Sequence, residues 1–122
     1  MILELHHVQL AMPIGGEGLA RRFYSGILAM KEVEKPTELQ SRGGIWFETG
    51  ATGVHLGVEQ PFFAAKKAHP AFRVSSLDGA ISVLKSHGVV FIRGSDLPDL
   101  IRVYVNDPFG NRIELLKVRA TP

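Results

Sequence analysis

Four side chains in this 122-residue sequence could together hold a metal ion: His7, His55, His69 and Glu114. The chain has no cysteine, which removes disulfides, thiolate nucleophiles and thiolate metal sites together. Imidazole and carboxylate donors without sulfur suit a divalent ion such as Zn, Fe, Mn, Ni or Co. Such an ion keeps open positions for a substrate and acts there as a Lewis acid.

The elements that would position these groups can be read from periodicity. Residues 3–12 alternate and end at Pro13 and Gly15-Gly16, predicting a first strand with His7 and Gln9 on one face. Leu19, Phe23, Tyr24, Ile27 and Leu28 form the apolar stripe of a helix over 17–29. A short strand at 31–34 follows, then strands at 45–49 and 54–59 across a glycine-bearing hairpin turn. Residues 61–68 read as a linker.

The pattern then restarts. A strand at 69–75 leads to a helix at 77–87, with Ser76 as its N-cap and Gly88 as its stop. Leu77, Ala80, Ile81 and Leu84 form its apolar face, and His87 sits at its C-terminus, where an imidazolium favours the helix dipole. Strands at 89–92, 100–106 and 112–118 complete the second half. The last two are joined by Asp107-Pro108-Phe109-Gly110-Asn111, a tight turn whose left-handed positions are expected at Gly110 and Asn111. Both halves therefore read strand, helix, strand, strand, strand, an internal repeat of about 55 residues.

Each strong strand has an apolar phase for the helices to cover and a second, mixed phase. The mixed phase carries His7 and Gln9, Trp46 and Glu48, His55, His69, Arg102 and Tyr104, and Arg112 and Glu114. Histidine, tryptophan, tyrosine and arginine suit a cleft wall better than an open surface. The repeat sharpens this reading. His7 opens the first half and His69 the second, while His55 and Glu114 fall on the last strands at nearly equal intervals behind them. Trp46, Tyr104 and Arg102 are the candidate substrate contacts in the same phase. His6 falls in the opposite phase and is not assigned to the site.

Bulk composition narrows the class further. Net charge is +2 and the basic residues are scattered, so a pI of about 9.2 gives no stripe for nucleic acid, and Lys66-Lys67 reads as a solvated loop. No run approaches the ~18 apolar residues of a membrane span, and the first residues do not resemble a signal peptide. A cytoplasmic protein acting on a small molecule, with neither nucleic acid nor membrane as partner, is the expectation.

The motifs His7-Val8-x-Leu10, Arg22-Phe23-Tyr24-x-x-Ile27-Leu28, His69-Pro70-Ala71-Phe72 and Asp107-Pro108-x-Gly110-Asn111-Arg112-x-Glu114 resemble the vicinal oxygen chelate superfamily. That superfamily includes glyoxalase I, extradiol dioxygenases, fosfomycin-resistance transferases and bleomycin-resistance proteins. The resemblance implies an α+β fold of two βαβββ modules, about 1–60 and 69–119, with helices on one face of a curved mixed sheet. It implies metal ligands at His7, His55, His69 and Glu114, and a substrate chelating the ion through adjacent oxygens. Dioxygenase-type and fosfomycin-type members use two histidines and one glutamate, which match His7, His69 and Glu114. Glyoxalase I has a second glutamate where this chain has His55, and that carboxylate helps to handle the substrate proton. His55 and Glu114 are therefore the expected catalytic pair. A homodimer with sites shared between chains is implied as well. Two outcomes stay open: a metal-dependent lyase, isomerase, dioxygenase or transferase, or a metal-independent binding protein of the bleomycin-resistance type. In the latter, Trp46, Tyr104, Phe62 and Phe63 would matter more than the histidines.

Overall fold

A computed structural model of the chain describes residues 1–119. It divides into two compact units, the first covering Met1–Ala64 and the second starting at Ala65. In the first unit the elements run β1 (His7–Met12), α1 (Glu17–Tyr24), β2 (Lys31–Val33), a 3-10 segment (Thr37–Arg42), β3 (Ile45–Thr49) and β4 (Thr52–Val58). In the second they run β5 (Ala71–Arg73), α2 (Leu77–Ser86), β6 (Phe91–Arg93), β7 (Leu100–Asn106) and β8 (Arg112–Val118). Each unit is the βαβββ arrangement expected from the repeat.

The strand orders are β1-β4-β3-β2 and β5-β8-β7-β6, so the two sheets have the same topology. In each, the first and last strands pair in parallel and the remaining neighbours pair antiparallel. The first-to-last pairing needs a long crossover, which the helix and the two intervening strands provide.

The apolar phase is buried as its alternation requires. Ile45, Phe47, Val54 and Leu56 form the core of the first unit with Met12, Ala20, Phe23 and Tyr24. Tyr24 of α1 stacks on Phe47 of β3 at 5.3 Å between ring centroids. The second unit buries Val103, Val105, Ile113 and Leu115 with Leu77 and Leu84 of α2. Ser76 caps α2 as expected, its Oγ accepting from the Gly79 N–H at 3.0 Å, and Gly88 ends it at φ +68°.

Several element ends differ from their sequence reading. β1 starts at His7 instead of residue 3, because its β4 partner runs out there: His7 is opposite Gly53, next to the Gly50-Ala51 turn. Leu3 and Leu5 are left 95% and 80% exposed. β5 is likewise only three residues long. α1 ends at Tyr24 instead of residue 29. A Cβ at Gly26 would lie 2.4 Å from the Arg22 carbonyl oxygen, and the amides of Gly26 and Leu28 reach back five residues, to Arg21 and Phe23. The helix thus unwinds through a wider turn, and Ala29 closes it at φ +59°. Leu19, assigned to the apolar stripe, is half exposed, and Ala20 takes its place in the core. Gly44 sits at φ +90° with a Cβ direction only 2.4 Å from the Leu56 carbonyl oxygen, so the start of β3 lies on β4 only because there is no side chain there.

The Asp107–Asn111 turn departs from expectation in one detail. Gly110 is left-handed at φ +90°, but Asn111 is not. Asn111 is held by its side chain. Its Nδ2 donates to Asp107 Oδ2 and its backbone N–H to Asp107 Oδ1, both at 2.9 Å, and the Phe109 N–H donates to Oδ1 as well. Asp107 and Asn111 are both buried. Charge-assisted bonds of this kind contribute about 1.5–3 kcal/mol each, with strong non-additivity. Replacing Asp107 by Ala is therefore expected to destabilise the protein by about 2–4 kcal/mol in urea unfolding, with Asp107→Asn retaining part of the loss. A change under about 0.5 kcal/mol for Asp107→Ala would show that the turn does not hold β7 and β8 in register.

Candidate functional site

In the first unit, His55 stands at the centre of β4, only 7% exposed. Two neighbours bury it. Trp46, directly opposite on β3, stacks on one face of the imidazole at 3.8 Å and 4°. His7 of β1 stacks on it at 4.2 Å and 18°. The three rings form one column on the face opposite the helix. Burial first, then the neighbouring His7 and His6 rings, push the His55 imidazole down from its ordinary 6.5 to about 4. A desolvated ring beside two others resists a positive charge, so it stays neutral at pH 7.

In the second unit, Glu114 is the third residue of β8 and is 5% exposed. His69 Nε2 lies 3.0 Å from its Oε1, and the Arg102 guanidinium reaches the same oxygen at 3.5 Å. His69 Nδ1 is 2.8 Å from the Lys67 carbonyl oxygen. A carbonyl only accepts, so Nδ1 carries a proton. In the neutral imidazole Nε2 is then a lone pair facing a carboxylate oxygen. Two acceptors at that distance need a proton or another cation between them. A carbonyl-anchored histidine beside a carboxylate is also the way protein metal sites orient an imidazole ligand.

The strand registers place the two pairs in matching positions. Gln9 is the β1 partner of His55, and Ala71 is the β5 partner of Glu114. His7 and His69 each precede that partner by two residues. Across the other neighbour, Trp46 faces His55 and Tyr104 faces Glu114. The intervals noticed in the sequence are thus register equivalences. The chemistry within each pair differs: the first is a ring stack and the second a hydrogen-bonded acid and base.

Arg102 and Tyr104 extend the second pair. The Tyr104 ring meets His69 edge-on at 5.3 Å, and the guanidinium groups of Arg102 and Arg112 lie 5.4 and 4.1 Å from its centroid. Gly94 presses on them, for a Cβ there would meet Arg102 Cγ and Nε and Tyr104 Cε2, all at 2.9 Å. That close approach buries Arg102 Nε without a hydrogen-bond partner. Arg102 therefore serves Glu114 first, as its counter-charge.

The structure brings the four proposed ligands together as two pairs, and among the described residues no three of His, Asp and Glu converge. Imidazole lone pairs lie in the ring plane. The nearly parallel planes of His7 and His55 therefore do not aim two nitrogens at one ion about 2 Å away. The His69–Glu114 pair fits a divalent cation as it stands, and of the stacked pair one ring at a time does.

Two contributors, His6 and Lys67, escaped the sequence reading, as did the packing of Arg112, which it had placed in the mixed phase. His6, placed in the opposite phase, lies outside β1, and its Nδ1 is 2.9 Å from His7 Nδ1. With alternation read from residue 3, no local pattern marked it. Lys67 acts through its carbonyl, which no side-chain pattern reveals. Arg112 faces Tyr104 diagonally across β7 and β8, a contact that depends on register.

A sequence profile of the Glyoxalase/Bleomycin resistance protein/Dioxygenase superfamily matches residues 5–115. The chain belongs to this superfamily. A solved glyoxalase family protein from Bacillus anthracis is similar to it at 47% identity and TM-score 0.94, over 98% of both chains. A glyoxalase/dioxygenase from Nostoc punctiforme shares 24% identity at TM-score 0.77, over 96% of this chain and 92% of that one. A glyoxalase family protein from Enterococcus faecalis shares 20% at TM-score 0.74, over 93% and 97%. The last two bear on the fold alone. No protein of curated function matches the chain. The motifs quoted for the vicinal oxygen chelate resemblance thus lie in a chain of that superfamily, and its members commonly bind divalent metals. Among the described residues no helix is long and apolar enough to cross a membrane.

The depressed His55 value has a consequence in chelator-treated protein. The unfolded chain takes up this proton near 6.5 and the folded chain only near 4. The His55 contribution to stability is therefore fully present above about 6.5 and is lost as pH falls towards 4. Urea unfolding across this range is expected to steepen its loss in the wild type relative to His55→Gln. Trp46, the only tryptophan, should report the same protonation with a midpoint near 4. A midpoint at 6.5 would mean that the stack does not exclude water.

Proposed function

We propose that this protein is a divalent-metal-dependent enzyme acting on a small substrate that binds the ion through adjacent oxygens. The observation that carries this reading is the His69–Glu114 pair. Lys67 fixes the imidazole so that its Nε2 faces a buried carboxylate oxygen at 3.0 Å, a gap that a shared proton or a bound cation bridges. We take His7, His69 and Glu114 as the ligand set, with His55 beside His7. In line with the family resemblance, we propose a homodimer that shares its sites between chains. Superfamily membership supports a small-molecule ligand and a divalent metal as the family's common chemistry.

When bound, the ion supplies Lewis acidity to a developing enolate or oxyanion. The remaining work falls to side chains. Arg102 stands 3.5 Å from Glu114 as its counter-charge. His55 is a buried proton acceptor on the first-unit strand that matches β8, where glyoxalase I has its second glutamate. Tyr104, opposite Glu114, has its hydroxyl available for a substrate oxygen. Isomerase, lyase, dioxygenase and transferase outcomes share these parts.

A sequestering protein of the bleomycin-resistance type is the second reading, and one observation favours it. The Trp46–His55–His7 column is an aromatic surface that could stack against a flat ligand without any metal.

Elemental analysis after incubation with Mn, Fe, Ni, Co and Zn salts tests the choice. Close to one equivalent is expected for the wild type, falling at least tenfold in metal affinity for His69→Ala and Glu114→Gln, with His55→Gln retaining the ion. Less than a tenth of an equivalent in the wild type would favour the sequestering reading. Sedimentation or size-exclusion mass is expected to give a dimer. A monomer that binds metal would place the whole site in one chain.

A further inference from the structure

The open face of the second unit carries a cavity of about 470 Å³, within the range of small-molecule pockets. Lys66 and Arg112 line it, together with Tyr104 and Asn106, and Val90 and Ile92 form an apolar wall. None of its lining residues is acidic. We propose that this cavity selects the substrate: a small organic anion, a carboxylate or phosphonate, with an unbranched or branched hydrocarbon body.

Arg112 is pre-set for this task. Its guanidinium lies over the Tyr104 ring at 4.1 Å from the centroid. A guanidinium held over a ring in this way still offers its N–H groups, the donors that grip a carboxylate or phosphonate by two parallel bonds. Its other contact is long, 3.5 Å to the Lys66 carbonyl oxygen, which also draws the Lys66 backbone to the cavity rim. Asn106 is the direct cross-strand partner of Arg112 and adds an amide to the same end. Val90 and Ile92 are 83% and 68% exposed, so a hydrocarbon body laid on them removes apolar surface from water. The pair Lys66-Lys67, which reads as a solvated loop in the sequence, thus contributes a charge here and an anchoring carbonyl to His69.

Tyr104 belongs to both places, lining this cavity and touching His69 edge-on. A ligand held by its anionic end at Arg112 would lie along Tyr104 towards the His69–Glu114 pair. This last step rests on the metal-enzyme reading; the anion preference does not.

Binding to chelator-treated full-length protein separates the two. Nuclear magnetic resonance titrations with 4-methylpentanoate, 3-methylbutylphosphonate, 4-methylpentanamide and inorganic phosphate are the direct comparison. One or both organic anions are expected to bind at least about tenfold tighter than the amide and than phosphate, with shifts at Tyr104 and Val90. Arg112→Gln should weaken the anion by about tenfold or more, and Lys66→Gln by a few-fold. Val90→Asp, at an exposed wall position that leaves the core untouched, should weaken it similarly to Arg112→Gln. Equal binding of amide and carboxylate would overturn the anion preference. Phosphate binding as tightly as the organic anions would overturn the hydrocarbon component, and full-strength carboxylate binding in Val90→Asp would place the site elsewhere. Loss of metal binding in the preceding experiment, with this preference intact, would overturn the metal reading alone.

Discussion

A buried carboxylate among the apolar residues of β8 is the constraint around which the second unit is arranged. Glu114 is 5% exposed, and an isolated buried charge costs far more than one side chain's packing returns. Two groups answer it, the Arg102 guanidinium at 3.5 Å and the His69 imidazole at 3.0 Å. Each is itself fixed. Gly94 lets the backbone lie on Arg102, and the Lys67 carbonyl holds His69 by its far nitrogen. The parallel pairing of β5 with β8 and the Asp107-centred turn set the register that makes these distances possible. The same in-plane approach of Nε2 to the acid serves a shared proton or a bound cation.

The first unit meets the same position with a different chemistry. His55 occupies the register of Glu114, but a neutral ring needs no counter-charge, and two aromatic neighbours cover it instead. The stack lowers its affinity for a proton, whereas Glu114 has the Arg102 guanidinium beside it as a counter-charge. Matching topology thus carries a stacked imidazole in one half and a charge-paired carboxylate in the other.

The fold was legible to a high degree, because it rests on alternation, helical periodicity and turn residues, all local signals. The repeat, the Ser76 cap, the Gly88 stop and β3, β7 and β8 were all readable in this way. Strand ends were not, since β1 and β5 stop where their partner or the crossover stops, a matter of pairing. α1 gives way to a wider turn in which only a residue without a side chain fits at position 26, which periodicity does not reveal. At the site, residue types and phase pointed to His7, His55, His69 and Glu114. Ring planes, the Lys67 carbonyl and the position of Arg112 over Tyr104 required coordinates.

The difference between a stacked pair and a hydrogen-bonded pair also bears on how the halves could have diverged. A hydrogen-bonded His–Glu pair accepts a cation with little rearrangement, because the donor atoms already face one another. A stacked His–His pair must give up part of its ring contact before either nitrogen is freed to ligate, and His55 is held from its second face by Trp46. His7, at the exposed end of β1, is held only from one side and by His6. The ring with fewer restraints is the one that can turn towards an ion at small cost. The buried ring keeps its place as base or as wall. The proposed set of two histidines and one glutamate is the one that leaves the tryptophan-covered ring in place.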